Sequence, residues 1–174
     1  MDHFTRLGLP RRFVVDAAAL ERAYLATSRA VHPDFHAAGP AGELAASLEL
    51  SAAVNEAYNT LRDPFARANY LLDLYGGPSA QQEKAVEPSF LAEMMDYRER
   101  VEGAGADEAD AIRGELRERE NGYQAEVAGE FDRFESLPEG HPDRPKHLLN
   151  IRRTLNALKT IRSLVRSLPE ASID

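Results

Sequence analysis

Apolar residues recur along most of the chain at the three-and-four spacing of an α-helix, and runs alternating in twos are nearly absent. Phe4, Leu7 and Leu9 make a short apolar opening that stops at Pro10. Leu20, Tyr24, Thr27 and Val31 then share one face of a helix that Asp16 can cap. That helix must end at His32, because the residue before a proline is pushed out of the α region. Residues 36–42 hold small side chains, two glycines and a proline, and read as loop. A third helix, from about Glu43, brings Leu44, Leu48, Val54, Tyr58 and Leu61 roughly into phase. Asp63-Pro64 stops it and starts a fourth, with aspartate as the cap and proline at the first helical position. The fourth carries Phe65, Tyr70, Leu71, Leu72, Leu74 and Tyr75 and closes at Gly76-Gly77.

Residues 77–87 are small and polar, the composition of a linker. A second helical unit follows. Pro88 opens a helix with Phe90, Met94, Tyr97 and Val101 on one stripe, and Gly103-Ala104-Gly105 breaks it. The next helix is long and charged, with Ile112, Leu116, Tyr123, Val127, Phe131 and Phe134 as its seam. Its glycines 114, 122 and 129 each weaken it by about 1 kcal/mol where exposed. Its charges are expected to pair along its own surface, as Glu115 with Arg119. After a loop over 138–145, Leu148, Ile151, Leu155, Leu158, Val165 and Leu168 recur at helical spacing. The expected fold is all-α: a helical hairpin unit over 1–76, a linker over 77–87, and a three-helix bundle over 88–170.

Composition narrows what such a chain does. With 174 residues, 43% hydrophobic and 29% charged, it can bury at least one core. A formal charge of -8 argues against nucleic acid as the main partner. The absence of cysteine excludes disulfides, thiol nucleophiles and cysteine-held metal clusters on this chain. No basic-then-apolar start and no membrane-length apolar run occur, so the expectation is a cytoplasmic protein that does not enter membranes. No phosphate loop or nucleophile elbow is present, and neither enzymatic activity nor a cofactor is expected.

The candidate chemistry sits at His32-Pro33-Asp34. Proline fixes one backbone dihedral, so a loop tip built on it loses little entropy on docking. Asp34 offers a carboxylate for a charge-assisted pair with arginine, and neutral His32 both donates and accepts. His32, Asp34 and His36 also alternate like metal ligands, but nothing obvious completes a coordination shell. A second His-Pro-Asp at 141–143 follows Pro138-Glu139-Gly140 rather than a long amphipathic helix, and reads as a turn feeding the last helix, with Asp143 or Arg144 near its cap.

The segments ALERAYLATSRAVHPDF and VNEAYNTLRDPFARANYLL resemble the J-domain. The tyrosine eight residues before the tripeptide, and Asn55, Tyr58, Leu61 and Asp63-Pro64 behind it, carry the likeness. The resemblance implies that the loop engages the ATPase of a DnaK-type chaperone, with a basic face on the preceding helix docking it. Arg22 and Arg29 are the clear members of that face, Arg11 and Arg12 can add to it, and Ala26 and Ala30 stand where J-domains often have lysine.

The likeness narrows to HscB, the J-protein family of iron–sulfur cluster assembly. ARANYLLDLYG ends the first unit, no Gly/Phe-rich or cysteine zinc stretch follows, and EPSFLAEMMDYRERVE resembles the family's first C-terminal helix. This implies an adaptor for an HscA or DnaK ATPase that binds an IscU-like scaffold through Leu91, Met95, Asp96 and Glu99. Leu91 and Met95 could instead widen the core stripe. Ala92 is smaller than usual for the family, and Thr154 stands where the last helix is expected to have an aromatic. An adaptor for a different client is the alternative.

Overall fold

The computed structural model describes residues 1–32 and 41–168. Among these the chain is helical throughout, with no strand: α1 (His3–Arg6), α2 (Ala17–Ala30), α3 (Ala41–Arg62), α4 (Pro64–Leu74), α5 (Pro88–Gly103), α6 (Ala106–Ser136) and α7 (Arg144–Ser167). It divides into two compact units, Met1–Leu71 and Leu72–Asp174, with the division falling inside α4.

In the first unit the apolar opening is a single helical turn. The Asp2 carboxylate accepts from the Thr5 amide, and Phe4 and Leu7 are buried as α1 packs on α3. Asp16 caps α2 by accepting from the Ala18 N–H, as the sequence suggests. The helix ends at Ala30, with Val31 as its C-cap, so the chain has left the α region before His32. α2 packs against α3, and Leu20, Val54, Ala57 and Leu61 are all buried.

The core face of α3 differs from the expected one. Leu48 is 54% exposed and Leu44 only half-buried, whereas Ser47 is 4% exposed. Ser47, Val54 and Leu61 are spaced by seven and share one line of the helix, while Leu48 lies about 120° round from Val54. The polar residue holds the core position because its hydroxyl has a partner there. Asp63 caps α4 by accepting from the Phe65 N–H. Gly76, at φ 71°, closes that helix while the Gly77 N–H donates to the Leu72 carbonyl, and a Cβ on Gly77 would collide with the Leu72 side chain.

The second unit is built on α5, α6 and α7, with α6 and α7 making the most extensive packing. Phe90, Met94 and Tyr97 of α5, Ala109, Ile112 and Leu116 of α6, and Ala157, Ile161 and Leu164 of α7 form one core cluster. Val127, Phe131 and Phe134 of α6 are buried as well. α6 runs unbroken for 31 residues through its three glycines. Burial of its seam outweighs the roughly 1 kcal/mol each glycine costs.

Two local expectations change. Glu115 does not use Arg119. It accepts both guanidinium nitrogens of Arg100 on α5, at 2.8 and 2.9 Å, while Arg119 pairs with Glu93 of α5. A planar fork facing a carboxylate across a helix pair is a better match than two flexible chains on one helix. Part of segment 77–87 is also held. Asn156 of α7 donates to the Glu83 carbonyl at 3.0 Å and the Ala85 carbonyl at 3.4 Å, and Arg153 pairs with the Glu83 carboxylate at 3.3 Å.

Candidate functional site

The J-domain-like motif residues lock α2 to α3. The Tyr24 hydroxyl donates to Asn55 Oδ1 at 2.9 Å, and its ring stacks on Tyr58 with centroids 4.2 Å apart. Tyr58 in turn donates to the Glu21 carboxylate, and the Arg62 guanidinium lies over its ring. The bond to Glu21 holds the Tyr58 hydroxyl above its ordinary pKa. Asn55 and Tyr58 therefore set where α2 lies on α3, and so where its C-terminal end comes.

At that end, an α-helix leaves its last carbonyls without internal partners. A continuing helix would offer the Arg29 carbonyl the amide of residue 33, but proline has none. The His32 N–H takes that carbonyl instead, at 3.4 Å. The Val31 carbonyl accepts the Ser47 hydroxyl at 2.6 Å and the Ser51 hydroxyl at 2.9 Å, both from α3. Sequence reasoning missed these two serines. The signal was present: Ser47 sits on the Val54–Leu61 line, where an unpaired hydroxyl would be costly.

His32 is exposed at this braced terminus. Pro33 and Asp34 lie outside the described residues, as does His36. Arg22 and Arg29 are both exposed and, seven residues apart, share one line of α2. Leu25, 43% exposed, lies near the same line. One helix thus presents two cations and an apolar side chain, with the histidine just past its C-cap.

On α5, Leu91 is 46% exposed and Met95 65%, and Asp96 and Glu99 are exposed beside them. They face away from the buried Phe90, Met94 and Tyr97, so Leu91 and Met95 do not widen the core. The helix behind this face is held firmly: besides the Arg100 fork, the Tyr97 hydroxyl donates to Glu115 at 3.0 Å. The Arg100 and Tyr97 hydrogen bonds draw the Glu115 carboxyl down to a pKa of about 2. Thr154, in place of the expected aromatic, is buried, and its hydroxyl donates to Glu126 at 3.2 Å. With Phe90 and Ala157 it lines a cleft of about 360 Å³.

The second tripeptide serves as a turn. His141 N–H donates to the Pro138 carbonyl, the Arg144 N–H to that of His141, and the Lys146 and His147 amides to that of Asp143, the N-cap of α7. Among the described residues no cluster of three or more His, Asp or Glu could hold a metal, and no helix is long and apolar enough to cross a membrane.

Residues 86–164 match the family described as the HSCB C-terminal oligomerisation domain. The chain is 42% identical over 123 residues to a co-chaperone protein HscB homolog of Paraburkholderia xenovorans, covering 68% of this chain and 70% of that one. With the homolog of Burkholderia multivorans it shares 43% over 121 residues, covering 67% and 69%. Among solved structures, the chaperone HscB from Vibrio cholerae superposes with a TM-score of 0.78 at 29% identity, covering 95% of this chain and 94% of that one. Human co-chaperone HscB superposes with a TM-score of 0.82 at 25% identity, covering 95% and 79%. With an N-terminal unit built on J-domain motifs, a C-terminal bundle that matches across α5, α6 and most of α7, and relatives above 40% identity, the chain belongs to the HscB family, the J-domain co-chaperones of iron–sulfur cluster assembly.

Proposed function

We propose that this chain is a two-sided adaptor. Residues 1–76 act as the J-domain and stimulate the ATPase of a DnaK- or HscA-type chaperone through His32-Pro33-Asp34, with Arg22 and Arg29 steering the encounter. Residues 88–170, joined through 77–87, carry an IscU-like scaffold on Leu91, Met95, Asp96 and Glu99. The setting is the cytoplasm, and ATP hydrolysis belongs to the partner.

The observation that carries this reading is the end of α2: an exposed histidine at a doubly braced helix terminus, on the helix that displays Arg22 and Arg29. Opposite charge raises the rate of encounter, and a preformed tip limits the entropy lost on docking. The α5 face supports the second half. Two large apolar side chains, flanked by carboxylates on a rigid helix, suit a partner with an apolar depression and a basic rim.

The test is steady-state ATP turnover by a DnaK- or HscA-type chaperone titrated with the parent chain and with His32→Gln. The parent should raise turnover about tenfold or more, and His32→Gln should fail at every concentration while keeping its melting temperature. Equal stimulation by both would contradict the loop assignment. A second reading, in which the bundle carries a different client, is favoured by the buried Thr154 and its cleft, at the position where the family resemblance implies an aromatic. Binding of the chaperone without binding of an IscU-type scaffold would select it.

A further inference from the structure

The residue before His32 is held in an unusual way. A carbonyl oxygen has two lone pairs, and the Val31 carbonyl spends both on α3: Ser47 Oγ donates at 2.6 Å and Ser51 Oγ at 2.9 Å. The two serines are four residues apart, so they stand one above the other on the same side of α3. Ser47 is 4% exposed, on the buried line of the helix, where a small apolar residue would fill the space with no hydrogen bond to satisfy. Neither serine caps its own helix. Their shared target is the last peptide unit before the functional tripeptide.

We propose that Ser47 and Ser51 are positioning residues for the chaperone-activating loop, fixing the Val31–His32 peptide plane and so the direction in which His32 leaves α2. The inference rests on the loop reading given under Proposed function. The physical argument is one of rotational freedom. At a helix C-terminus the last peptide units fray, because their carbonyls have no partners and only one or two hydrogen bonds restrain them. Here proline removes a further restraint by lacking an N–H. Two hydroxyl donors from a neighbouring helix substitute for the missing internal ones, and they act on the carbonyl whose rotation would swing the histidine. Arg22 and Arg29 lie upstream on the same helix and do not depend on this peptide unit. Loss of the hydroxyls should therefore leave the encounter intact and impair its result.

The experiment is ATP turnover by a DnaK-type chaperone that the parent chain stimulates, titrated with full-length Ser47→Ala/Ser51→Ala, with Ser47→Ala alone, with Ser47→Ala/Ser51→Thr, and with two controls. His32→Gln is one control. Ala57→Gly, which loosens the same helix at a fully buried position, is the other. The double alanine variant should lose roughly fivefold or more of the maximal stimulation while its half-maximal concentration stays within about twofold of the parent. Ser51→Thr in the Ser47→Ala background, which retains one hydroxyl, should match Ser47→Ala alone. Maximal stimulation by the double variant within about twofold of the parent, while His32→Gln is inactive, would overturn this inference and leave the loop reading standing. Full stimulation by His32→Gln would overturn both. An equal loss in Ala57→Gly would also overturn the inference, because general loosening of α3 would then account for the effect.

Discussion

His-Pro-Asp occurs at 32–34 and again at 141–143, and the two copies show how little three letters determine. The first histidine lies just past the end of a 14-residue helix, exposed, with its N–H on the Arg29 carbonyl and α3 bracing the carbonyl before it. The second is folded into a turn: its backbone bonds to Pro138 and Arg144, its ring Nδ1 accepts from the Asp143 N–H at 3.2 Å, and Asp143 starts α7. The Arg144 guanidinium closes this turn, donating to the Phe134 and Leu137 carbonyls and lying 3.9 Å over the Phe134 ring. At 141–143 the tripeptide is absorbed by its own chain. At 32 the chain holds the residue before the histidine and leaves the histidine exposed. A tripeptide bonded into its own turn is structural, while a histidine exposed beside a braced carbonyl is open to a partner.

The sharpest way to break this comparison is to exchange the two histidines' fates. His32→Gln should remove roughly tenfold or more of the chaperone stimulation, and His141→Gln should keep it within about twofold, both read from ATP turnover. Next in size is the α5 face. Replacing Leu91 and Met95 together with serine should weaken scaffold binding by about 10- to 100-fold in a calorimetric titration, since covering the exposed half or so of each apolar side chain contributes about 0.7–1.4 kcal/mol. Because both are exposed in the free chain, its melting temperature should hardly change.

A smaller effect is expected from the cations. Arg22→Ala/Arg29→Ala should raise the half-maximal concentration by a few-fold, about 0.5–1 kcal/mol, and the difference should shrink as salt rises. The smallest concerns stability. Burial works to raise the pKa of Glu130, but hydrogen bonds from His147 (2.7 Å) and Asn150, with the charge of Arg133, outweigh it and leave it lowered. A carboxyl with a lowered folded pKa contributes stability above its unfolded value, and loses it as pH falls through the folded one. Melting should therefore drop as pH falls below about 4.5, and Glu130→Gln should lower the neutral-pH melting point by roughly 2–4 °C and flatten that slope.

The sequence carried the fold clearly because helical periodicity, caps and glycine stops agree along it. Asp16, Asp63 and Gly76-Gly77 act as their residue types suggest. The exposed face of α5 was legible too, as a stripe offset from Phe90, Met94 and Tyr97. What escaped were interactions between helices, which no single-helix pattern encodes. Glu115 has an attractive neighbour at Arg119 and a better one across the bundle at Arg100. Ser47 takes the core line in place of Leu48 because the Val31 carbonyl accepts its hydroxyl there. Asn156 similarly holds part of a segment whose composition suggested only a tether.

The most direct measurement is backbone amide exchange along the chain, free, with the ATP-bound chaperone, and with an IscU-type scaffold. The account predicts that the chaperone slows exchange at the C-terminal half of α2 and the residues just after it, that the scaffold slows it along 91–99, and that neither protects 138–144. Protection by the chaperone at 138–144, with none around His32, would contradict it.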